Sequence, residues 1–272
     1  MRQEAVMRLS IASWNINSVR LRIDQVIRFL DMARPDILCL QEIKCQNGEF
    51  PRKAFEDAGY PHILVTGQKG WHGVALVSKL PFEINEILPF CRRGEARVQG
   101  IQVAGIDLWN FYIPAGGDVP DRQANDKFDH KLEFYERLTA HLKTRNPDAP
   151  LLIAGDLNIA PGENDVWSHR QMLKVVSHTP PELEAFADLM AAGGFHDAFR
   201  ELWPEPQKLF TWWSYRAADF RKSNRGLRLD HLLINPALKA RITSPIAAVI
   251  HDSVREWDRP SDHAPIQIEF DL

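Results

Sequence analysis

Strand-like and helix-like hydrophobic patterns alternate over the first 60 residues of the chain. Leu9 and Ile11 lead into S-W-N-I-N, which predicts a strand that ends in a polar loop. Residues 20–33 then carry apolar side chains at helical spacing, and Pro35 ends this helix. The run D-I-L-C-L follows as a short buried strand, and residues 51–59 have the early proline and final glycine of a short helix.

The pattern changes between residues 62 and 113. Glycine and proline there separate four short apolar runs, H-I-L-V-T, G-V-A-L-V-S, R-V-Q-G-I-Q-V and I-D-L-W-N-F-Y-I. Short runs with this punctuation, and with no helix-length gap between the last of them, are typical of strands joined by turns. We therefore predict antiparallel β-sheet in this part of the chain.

The second half of the chain mixes helices and strands again. An amphipathic helix is predicted over residues 123–144, and the strand L-L-I-A-G follows at 151–155. The run P-E-L-E-A-F-A-D-L-M-A-A-G-G indicates a helix that Gly193 closes. Three late strands are predicted in R-L-D-H-L-L-I, R-I-T-S-P-I-A-A-V-I and A-P-I-Q-I-E-F.

These elements favour an α/β fold. Because the strands fall largely into hairpins and helices occur in both halves, we predict a four-layer α/β sandwich, with two packed, mainly antiparallel sheets flanked by helices. No linker or repeat divides the 272 residues, so we expect one catalytic domain over residues 1–272. Residues 1–7 are predicted to be a non-essential extension, since M-R-L-S leads directly into the first strand.

Composition excludes several classes of protein. The chain is 44% hydrophobic and 25% charged, which excludes wholesale disorder and a collagen-like chain. No apolar stretch is long enough to span a membrane, and the first residues lack the apolar core of a signal peptide, so we expect a cytoplasmic protein. Coiled-coil heptads are also missing from the sequence, which favours a monomer.

Charge and cysteine content narrow the possible partners. A net charge of −3 argues against binding of polyanions by bulk attraction, so any nucleic-acid site must be a local patch. Cys39, Cys45 and Cys91 form no C-x-x-C pair, which indicates neither a disulfide framework nor a cysteine-rich zinc site. We expect buried or incidental thiols.

Several apolar runs lead directly into acidic or amide residues, and polar groups at strand ends are where sheets build sites. Each one alone is typical of a turn, but the set is rich in carboxylates and suits a hard cation such as Mg²⁺, with Mn²⁺ as a substitute. Enzymes that transfer a phosphoryl group to water use such a cation together with acids, amides and a histidine. A dyad of His263 with a serine has no G-x-S-x-G elbow in support.

Seven blocks of the sequence carry a specific family resemblance. They are S-W-N-I-N (13–17), C-L-Q-E-I-K (39–44), G-V-A-L-V-S (73–78), N-F-Y-I-P (110–114), G-D-L-N (155–158), N-R-G-L-R-L-D (224–230) and S-D-H-A-P (261–265). In this order they resemble the motifs of the exonuclease III-like abasic-site endonucleases. The resemblance spans nearly the whole chain and implies the deoxyribonuclease I-like four-layer fold.

The resemblance also implies an activity and a site. The activity is that of a Mg²⁺-dependent DNA repair hydrolase that cuts 5′ to an abasic site, leaves a 3′-hydroxyl, and trims or degrades 3′ ends. By motif position Glu42 is the principal metal ligand, with Asn15, Asn17 and Asp262 close to the metal and its waters. The catalytic residues are Asp156, which activates the attacking water, Asn158, the pair Asp230 and His263, and Tyr112, which donates a proton or supplies a phenolate near the leaving oxygen.

The same resemblance places the DNA contacts. Trp212, Leu227 and Leu229 fall where the family builds an apolar pocket for a base-less sugar. The basic run between them is predicted to follow phosphates, and two further loops are predicted to contact DNA. The predicted DNA-binding residues are Lys69, Trp71, Arg92, Arg93, Arg216, Arg221, Lys222, Arg225 and Arg228.

One position departs from the family pattern. Relatives carry Asn or Gln one residue beyond the proline of the N-F-Y-I-P block, where an amide bonds the scissile phosphate, but this chain has Ala115. Gly116 and Gly117 follow, and paired glycines allow backbone N–H groups to approach a phosphate instead. The balance between abasic-site cleavage, 3′-to-5′ exonuclease and 3′-end trimming therefore stays open.

Two other functions remain as alternatives. The first is a phosphoesterase of the same superfamily that acts on an inositol phosphate or a sphingomyelin-type lipid, against which the basic segment 212–228 argues. The second is a non-catalytic nucleic-acid-binding module, which should have lost charged site residues that this chain retains.

Overall fold

The fold is a four-layer α/β sandwich, described from a computed structural model over residues 7–85, 90–216 and 219–272. The strands of these ranges are β1 (Arg8–Asn15), β2 (Ile37–Gln41), β3 (His62–Thr66), β4 (Val74–Ser78), β5 (Glu83–Asn85), β6 (Val98–Val103), β7 (Ile106–Tyr112), β8 (Leu151–Asp156), β9 (His196–Asp197), β10 (Trp212–Trp213), β11 (Gly226–Leu227), β12 (Asp230–Ile234), β13 (Ala247–Ile250) and β14 (Ile266–Asp271). The helices are α1 (Ile23–Ala33), α2 (Arg52–Asp57), α3 (Asp126–Thr144), α4 (His169–Met172), α5 (Pro180–Gly193), α6 (Ala198–Leu202), α7 (Phe220–Ser223) and α8 (Pro236–Lys239).

Two six-stranded sheets form the middle layers. The first sheet has the order β13-β14-β1-β2-β4-β3, and the second has the order β5-β6-β7-β8-β12-β9. Each sheet contains one parallel pair, β1 with β2 and β7 with β8, and its other pairs are antiparallel. The prediction of two mainly antiparallel sheets is therefore confirmed. The runs between residues 62 and 113, however, divide between the two sheets.

Side-chain alternation along β1 shows how the layers are held together. Leu9 and Ile11 point into the core between the sheets, where they join residues of the second sheet such as Leu152. Ala12 and Trp14 point the other way, into a core shared with α1 and α2. On the opposite side of the molecule, α3 and α5 cover the outer face of the second sheet. A strand buried on both faces explains the nearly continuous apolar run around position 11.

Some predicted boundaries are wrong. The run over residues 241–250 forms a strand only from Ala247, because Pro245 has no N–H to donate to a neighbouring strand. The long predicted helix begins at Asp126, where the Asn125 side chain accepts the Lys127 N–H and caps the helix. The predicted extension over residues 1–7 lies outside the described residues except for Met7, which pairs with Leu272.

No helix in the described ranges is both long and apolar enough to cross a membrane.

Candidate active site

The site lies at one edge of the sandwich, where strands of both sheets end or begin. Asn15 and Gln41 are the last residues of the parallel strands β1 and β2, and Tyr112 lies beside Asp156 at the ends of β7 and β8. The antiparallel strand β12 starts at the same edge, with Asp230 opposite Asp156. The segment before β14 also arrives there, because β14 runs antiparallel to β1. The polar strand ends predicted from the sequence therefore come together.

His263 lies between two buried carboxylates. Its Nδ1 is 2.8 Å from an Oδ atom of Asp230, and its Nε2 is 3.8 Å from one of Asp156. Burial opposes charge on the imidazole, but Asp230 and Asp156 outweigh burial and raise the pKa of His263 to about 10. The ring is therefore positively charged at neutral pH. Thr211 donates its hydroxyl to the same Asp230 oxygen at 2.6 Å, which fixes the carboxylate that orients the ring.

Asp156 has the environment of a tunable base. It is fully buried, and burial raises its pKa to about 7 although the charge of His263 opposes the shift. The Nδ2 atoms of Asn15 and Asn158 donate to one of its oxygens at 2.9 and 3.1 Å, and the backbone N–H of Asn158 donates to the other at 3.0 Å. The carboxylate is thus held in one orientation by amide donors.

Glu42 is the centre of a second cluster. Asn15 Nδ2 and the Tyr112 hydroxyl donate to its Oε1 at 3.0 and 2.8 Å, while Lys44 Nζ lies 2.9 Å from Oε2. Burial opposes ionisation, but Lys44 and the hydrogen bonds keep the pKa of Glu42 below its usual value. Burial and the charge of Glu42 raise the pKa of Tyr112 well above its usual value. Of the two roles predicted for Tyr112, this environment favours the proton donor over the phenolate.

Asp262 completes the group of carboxylates. Asn17 Nδ2 donates to one of its oxygens at 3.0 Å, and the Trp212 indole N–H donates to the other at 3.0 Å. Lys44 Nζ also donates to Asn17 Oδ1 at 2.6 Å, so Asn17 links Asp262 to the cluster of Glu42.

Left-handed backbone conformations concentrate at the site. Asn17, Glu42, Lys44 and Asn158 have φ between 48° and 56°, although none of them is a glycine. Gly155 has φ of 141°, and a Cβ there would lie 2.0 Å from the Phe111 carbonyl oxygen of β7. Only glycine therefore allows β8 to approach β7 this closely immediately before Asp156.

The donor set fits a hard divalent cation. Glu42 and Asp262 supply carboxylate oxygens at the pocket, and buried Asp230 Oδ1 accepts no hydrogen bond. Asn15 Oδ1 already accepts the backbone N–H of Asn17 at 3.1 Å, so Asn15 acts on the cluster through its amide donors. Asp156, Asp230 and His263 also offer atoms within 4.8 Å of one another, but their direct contacts explain that proximity.

A cavity of about 580 Å³ opens beside these polar groups. The predicted apolar residues Trp212, Leu227 and Leu229 line it, as do Ala115 and Gly117 of the glycine loop. Sequence reasoning missed its other wall, which includes Trp167, Met172, Val175 and Val176. These residues lie in an irregular segment around α4 that has no strand pattern or family block to mark it.

The predicted DNA-binding residues fall into three groups. Lys69, Arg216, Lys222 and Arg225 are exposed, as is Trp71, and the Arg225 guanidinium lies 4.7 Å from the ring centre of Trp167 at the cavity. Arg92, Arg93 and Arg221 are instead engaged by carboxylates. Their partners are Asp126, Asp129 and Glu133 for Arg92, Asp126 for Arg93, and Asp252 and Glu256 for Arg221.

The prediction that Arg228 contacts DNA is wrong. Its side chain is 1% exposed and forms buried ion pairs with Asp165, at 2.7 and 2.9 Å, and with Asp197, at 2.7 Å. A guanidinium in this position ties β9 and the loop before α4 to the start of β12. The local run of basic residues gives no sign of this role, because the partners lie 63 and 31 positions away.

Two further polar residues of the site were missed. Lys44 closes the C-L-Q-E-I-K block and contacts both Glu42 and Asn17. Thr211 orients Asp230 from the segment before β10. The place of Lys44, two residues after the predicted metal ligand, is a signal that could have identified it, whereas nothing local marks Thr211.

Comparison with known proteins shows the family and supports the fold. The chain matches the model of the Endonuclease/Exonuclease/phosphatase family over residues 12–263. It is 34% identical over 280 residues to the exodeoxyribonuclease III of Haemophilus influenzae, an alignment that covers 96% of this chain and 100% of the relative. It resembles the solved structure of an AP endonuclease from Archaeoglobus fulgidus with a TM-score of 0.88, 32% identity, and coverage of 97% of this chain and 100% of the other. A 3′ phosphatase from Neisseria, solved with a product DNA hairpin, gives a TM-score of 0.87, 33% identity and the same coverages.

Proposed function

Since the chain belongs to the endonuclease/exonuclease/phosphatase family, and is a hydrolytic nuclease of the exodeoxyribonuclease III and AP endonuclease type, we propose that it is a Mg²⁺-dependent DNA repair phosphodiesterase. Its reaction is hydrolysis of the bond 5′ to an abasic site, leaving a 3′-hydroxyl. The same site serves 3′-to-5′ exonuclease and 3′-end trimming, because all three reactions are hydrolyses of a DNA phosphoester. Its substrates are double-stranded DNA with abasic sites or with blocked 3′ ends.

One observation carries the proposal. The buried Asp230–His263–Asp156 cluster and the Glu42 cluster both border a cavity whose far wall is apolar. An abasic sugar has no base to hydrogen-bond, so apolar walls accept it, whereas the polar edge of a base would find no hydrogen-bond partner on such a wall. Clusters of charged side chains beside an apolar recess are therefore the arrangement that this substrate requires.

Each side chain has a role that its contacts support. Glu42 and Asp262, positioned by Asn15 and Asn17, hold the divalent cation, which offsets phosphate charge when bound. Asp156 takes a proton from the attacking water and Asn158 keeps that carboxylate oriented. The positive His263 donates towards a phosphate oxygen while Asp230 holds its ring, and Tyr112 donates its hydroxyl proton near the leaving oxygen.

The DNA surface belongs to the same proposal. Exposed Lys69, Arg216, Lys222 and Arg225 provide the positive side chains that a chain of net charge −3 needs for phosphate contacts. Trp71 is 68% exposed two positions after Lys69, and Lys44 Nζ lies 5.6 Å from its ring centre. An exposed indole beside basic residues is suited to stacking on a sugar or base.

A gel assay tests the proposal. The substrates are a duplex with one central abasic analogue, an intact blunt duplex, and a duplex ending in a 3′-phosphate, each with Mg²⁺ and with chelator. We expect a Mg²⁺-dependent nick at the lesion, which would also show that Ala115 does not prevent the reaction. Ladders from the ends without a nick would make exonuclease the main activity. No cutting of any DNA would contradict the proposal and favour a phosphorylated small molecule as substrate.

A further inference from the structure

A second group of metal-ligating side chains lies outside the active site, on the turn before β6. Cys91 accepts the backbone N–H of Gly94 at its carbonyl, at 3.0 Å, and this turn brings Cys91 and Glu95 to the same side. His130 projects towards them from the buried face of α3. The three side chains offer a thiol, a carboxylate and an imidazole, with all three ligand atoms within 4.8 Å of one another.

We propose that Cys91, Glu95 and His130 form a binding site for a zinc-class divalent cation. A thiolate with an imidazole is the ligand pair that Zn²⁺ and Co²⁺ prefer over Mg²⁺, which takes oxygen ligands. This site is separate from the predicted Mg²⁺ site and does not depend on the nuclease assignment.

The distances are close to those of a tetrahedral site. Cys91 Sγ lies 3.2 Å from His130 Nε2 and 3.7 Å from a Glu95 carboxylate oxygen. With the metal–ligand lengths that zinc adopts, two ligand atoms at the corners of a tetrahedron lie about 3.5 Å apart. Small side-chain movements are therefore enough to place all three atoms around one ion.

Charge around the cluster permits a cation. Arg92 and Arg93 are neutralised by carboxylates of α3, and Arg97 donates to the same Glu95 oxygen at 2.6 Å. The Cys91 thiol loses its proton on binding, so that a thiolate and the Glu95 carboxylate face the two positive charges of the ion directly. Burial and the Arg93 guanidinium lower the pKa of His130 to about 4, which keeps the imidazole neutral and able to ligate.

The ion also has a path to the three side chains, and there is room for a fourth ligand. His130 is 1% exposed and Cys91 is 6% exposed, so the ligands are shielded on the protein side. A cavity of about 350 Å³ reaches the same place and is lined by Cys91, Gly94 and Glu95. The ion can enter through this cavity, and a water molecule can occupy the position that the protein leaves open.

A bound ion would join two segments that lie next to the second sheet. It joins the turn at residues 91–95 to α3, and Glu95 is bonded to Arg97, whose guanidinium lies 4.6 Å from the ring centre of Tyr112. Bound metal thus joins segments about 35 to 40 residues apart, and it stabilises the folded chain because the site does not exist in the unfolded one.

Titration with Co²⁺ alone tests the proposal. We expect a thiolate-to-cobalt charge-transfer absorption that saturates at one ion per chain and disappears when Zn²⁺ is added. The predicted Mg²⁺ site has no cysteine, so this absorption reports on the new site only. Absence of the absorption in the unaltered protein would overturn the proposal, whether or not the protein cuts DNA.

Matched variants locate the sulfur ligand. Cys91→Ser should abolish the absorption, His130→Gln and Glu95→Gln should each weaken Co²⁺ binding at least about tenfold, and Cys45→Ser should leave it unchanged. In the presence of saturating Mg²⁺, Zn²⁺ should raise the melting temperature of the unaltered protein and of Cys45→Ser more than that of Cys91→Ser. An absorption that persists in Cys91→Ser contradicts the assignment. If Cys91→Ser fails to fold, unchanged Co²⁺ affinity in both His130→Gln and Glu95→Gln contradicts it equally.

Discussion

At the residue scale, the positive charge of His263 depends on its neighbour Asp230. The imidazole is buried, and burial alone would favour its neutral form. Asp230 accepts from the ring at 2.8 Å and is itself held by Thr211. The pair therefore acts as a unit, in which one residue sets the protonation of the other.

Replacing Asp230 by Asn should lower the pKa of His263. The neutral amide keeps the shape of the carboxylate but no longer stabilises the imidazolium, so the ring should lose its proton several pH units below about 10. NMR titration of the His263 ring resonances in both proteins measures this directly. His251→Gln, which changes a histidine bonded to Gln267, should leave the titration of His263 in place. An equal pKa in Asp230→Asn would show that Asp230 does not hold the charge.

Asp156→Asn should abolish turnover and leave DNA binding largely intact. The amide cannot take a proton from water, and loss of a catalytic base corresponds to about 3 kcal/mol or more, a rate loss of about a hundredfold or greater. Single-turnover cleavage and fluorescence anisotropy on the same abasic duplex separate the two effects. Glu42→Gln provides the comparison, because its defect should shrink as the Mg²⁺ concentration rises. Near-normal turnover by Asp156→Asn would remove Asp156 from the role of base.

The residues of the site show what sequence could and could not predict. Glu42, Asp156 and His263 lie in compact blocks with polar residues after apolar strands, so both chemistry and resemblance predict them as site residues. Arg228 lies in an equally compact basic run but is buried against Asp165 and Asp197. A local pattern cannot distinguish these cases, because the partner that neutralises a charge is chosen by the fold and not by neighbouring positions.

At the scale of elements, α3 holds in place the loops that border the cavity. Lys131 on this helix is fully buried, pairs with Glu182 of α5, and donates to the carbonyl oxygens of Asn158 and Ala115 at 2.6 and 3.3 Å. Glu182 in turn accepts the backbone N–H groups of Ser177 and Thr179. One ion pair between two helices therefore holds three of the loops that border the cavity.

Lys131→Met should lower the free energy of unfolding by about 3–5 kcal/mol, because it leaves the Glu182 carboxylate buried without its cation. Urea denaturation followed by circular dichroism measures the change. Lys127→Met on the exposed face of the same helix is the matched control and should change stability by less than about 0.5 kcal/mol. A similar small effect for Lys131→Met would mean that water or a neutral Glu182 replaces the pair.

Elements were predicted better than their ends and partners. Strongly periodic segments such as α3 were found at nearly their full length, since amphipathic spacing over five turns is a dense signal. The predicted strand over residues 241–250 begins only at Ala247 because of Pro245. The effect of a proline depends on whether the N–H that it lacks would have faced a neighbouring strand. The segment around α4 was missed because its residues pack on the cavity through irregular backbone.

At the scale of the whole molecule, the surface is divided into neutralised and available positive charge. Arg93 is within ion-pair distance of Asp126, whereas Lys69 and Arg225 are exposed, and Arg225 lies over Trp167 at the cavity. The net charge of −3 means that attraction to DNA must come from the available group. This division predicts which basic residues control the effect of salt on DNA binding.

Lys69→Gln and Arg225→Gln should each reduce the salt dependence of DNA binding. Each lost phosphate contact lowers the magnitude of the slope of log affinity against log salt concentration by about 0.9 for double-stranded DNA. Anisotropy titrations of Asp156→Asn protein between low and high salt measure the slopes without cleavage. Arg93→Gln is the control and should leave the slope unchanged. A fall in slope for Arg93→Gln would restore the original prediction that this residue contacts DNA.

The pairing of β1 with β14 has a consequence for synthesis of the protein. Register contacts such as Arg8 with Asp271 join strands more than 250 positions apart, and Asp262 and His263 directly precede β14. On the ribosome, β1 therefore has one edge without its final neighbour until more than 250 further residues have been made. His263 is also absent from the nascent chain until this late stage of synthesis. A nuclease assembled in this order completes its Asp230–His263–Asp156 cluster only when β14 docks against β1.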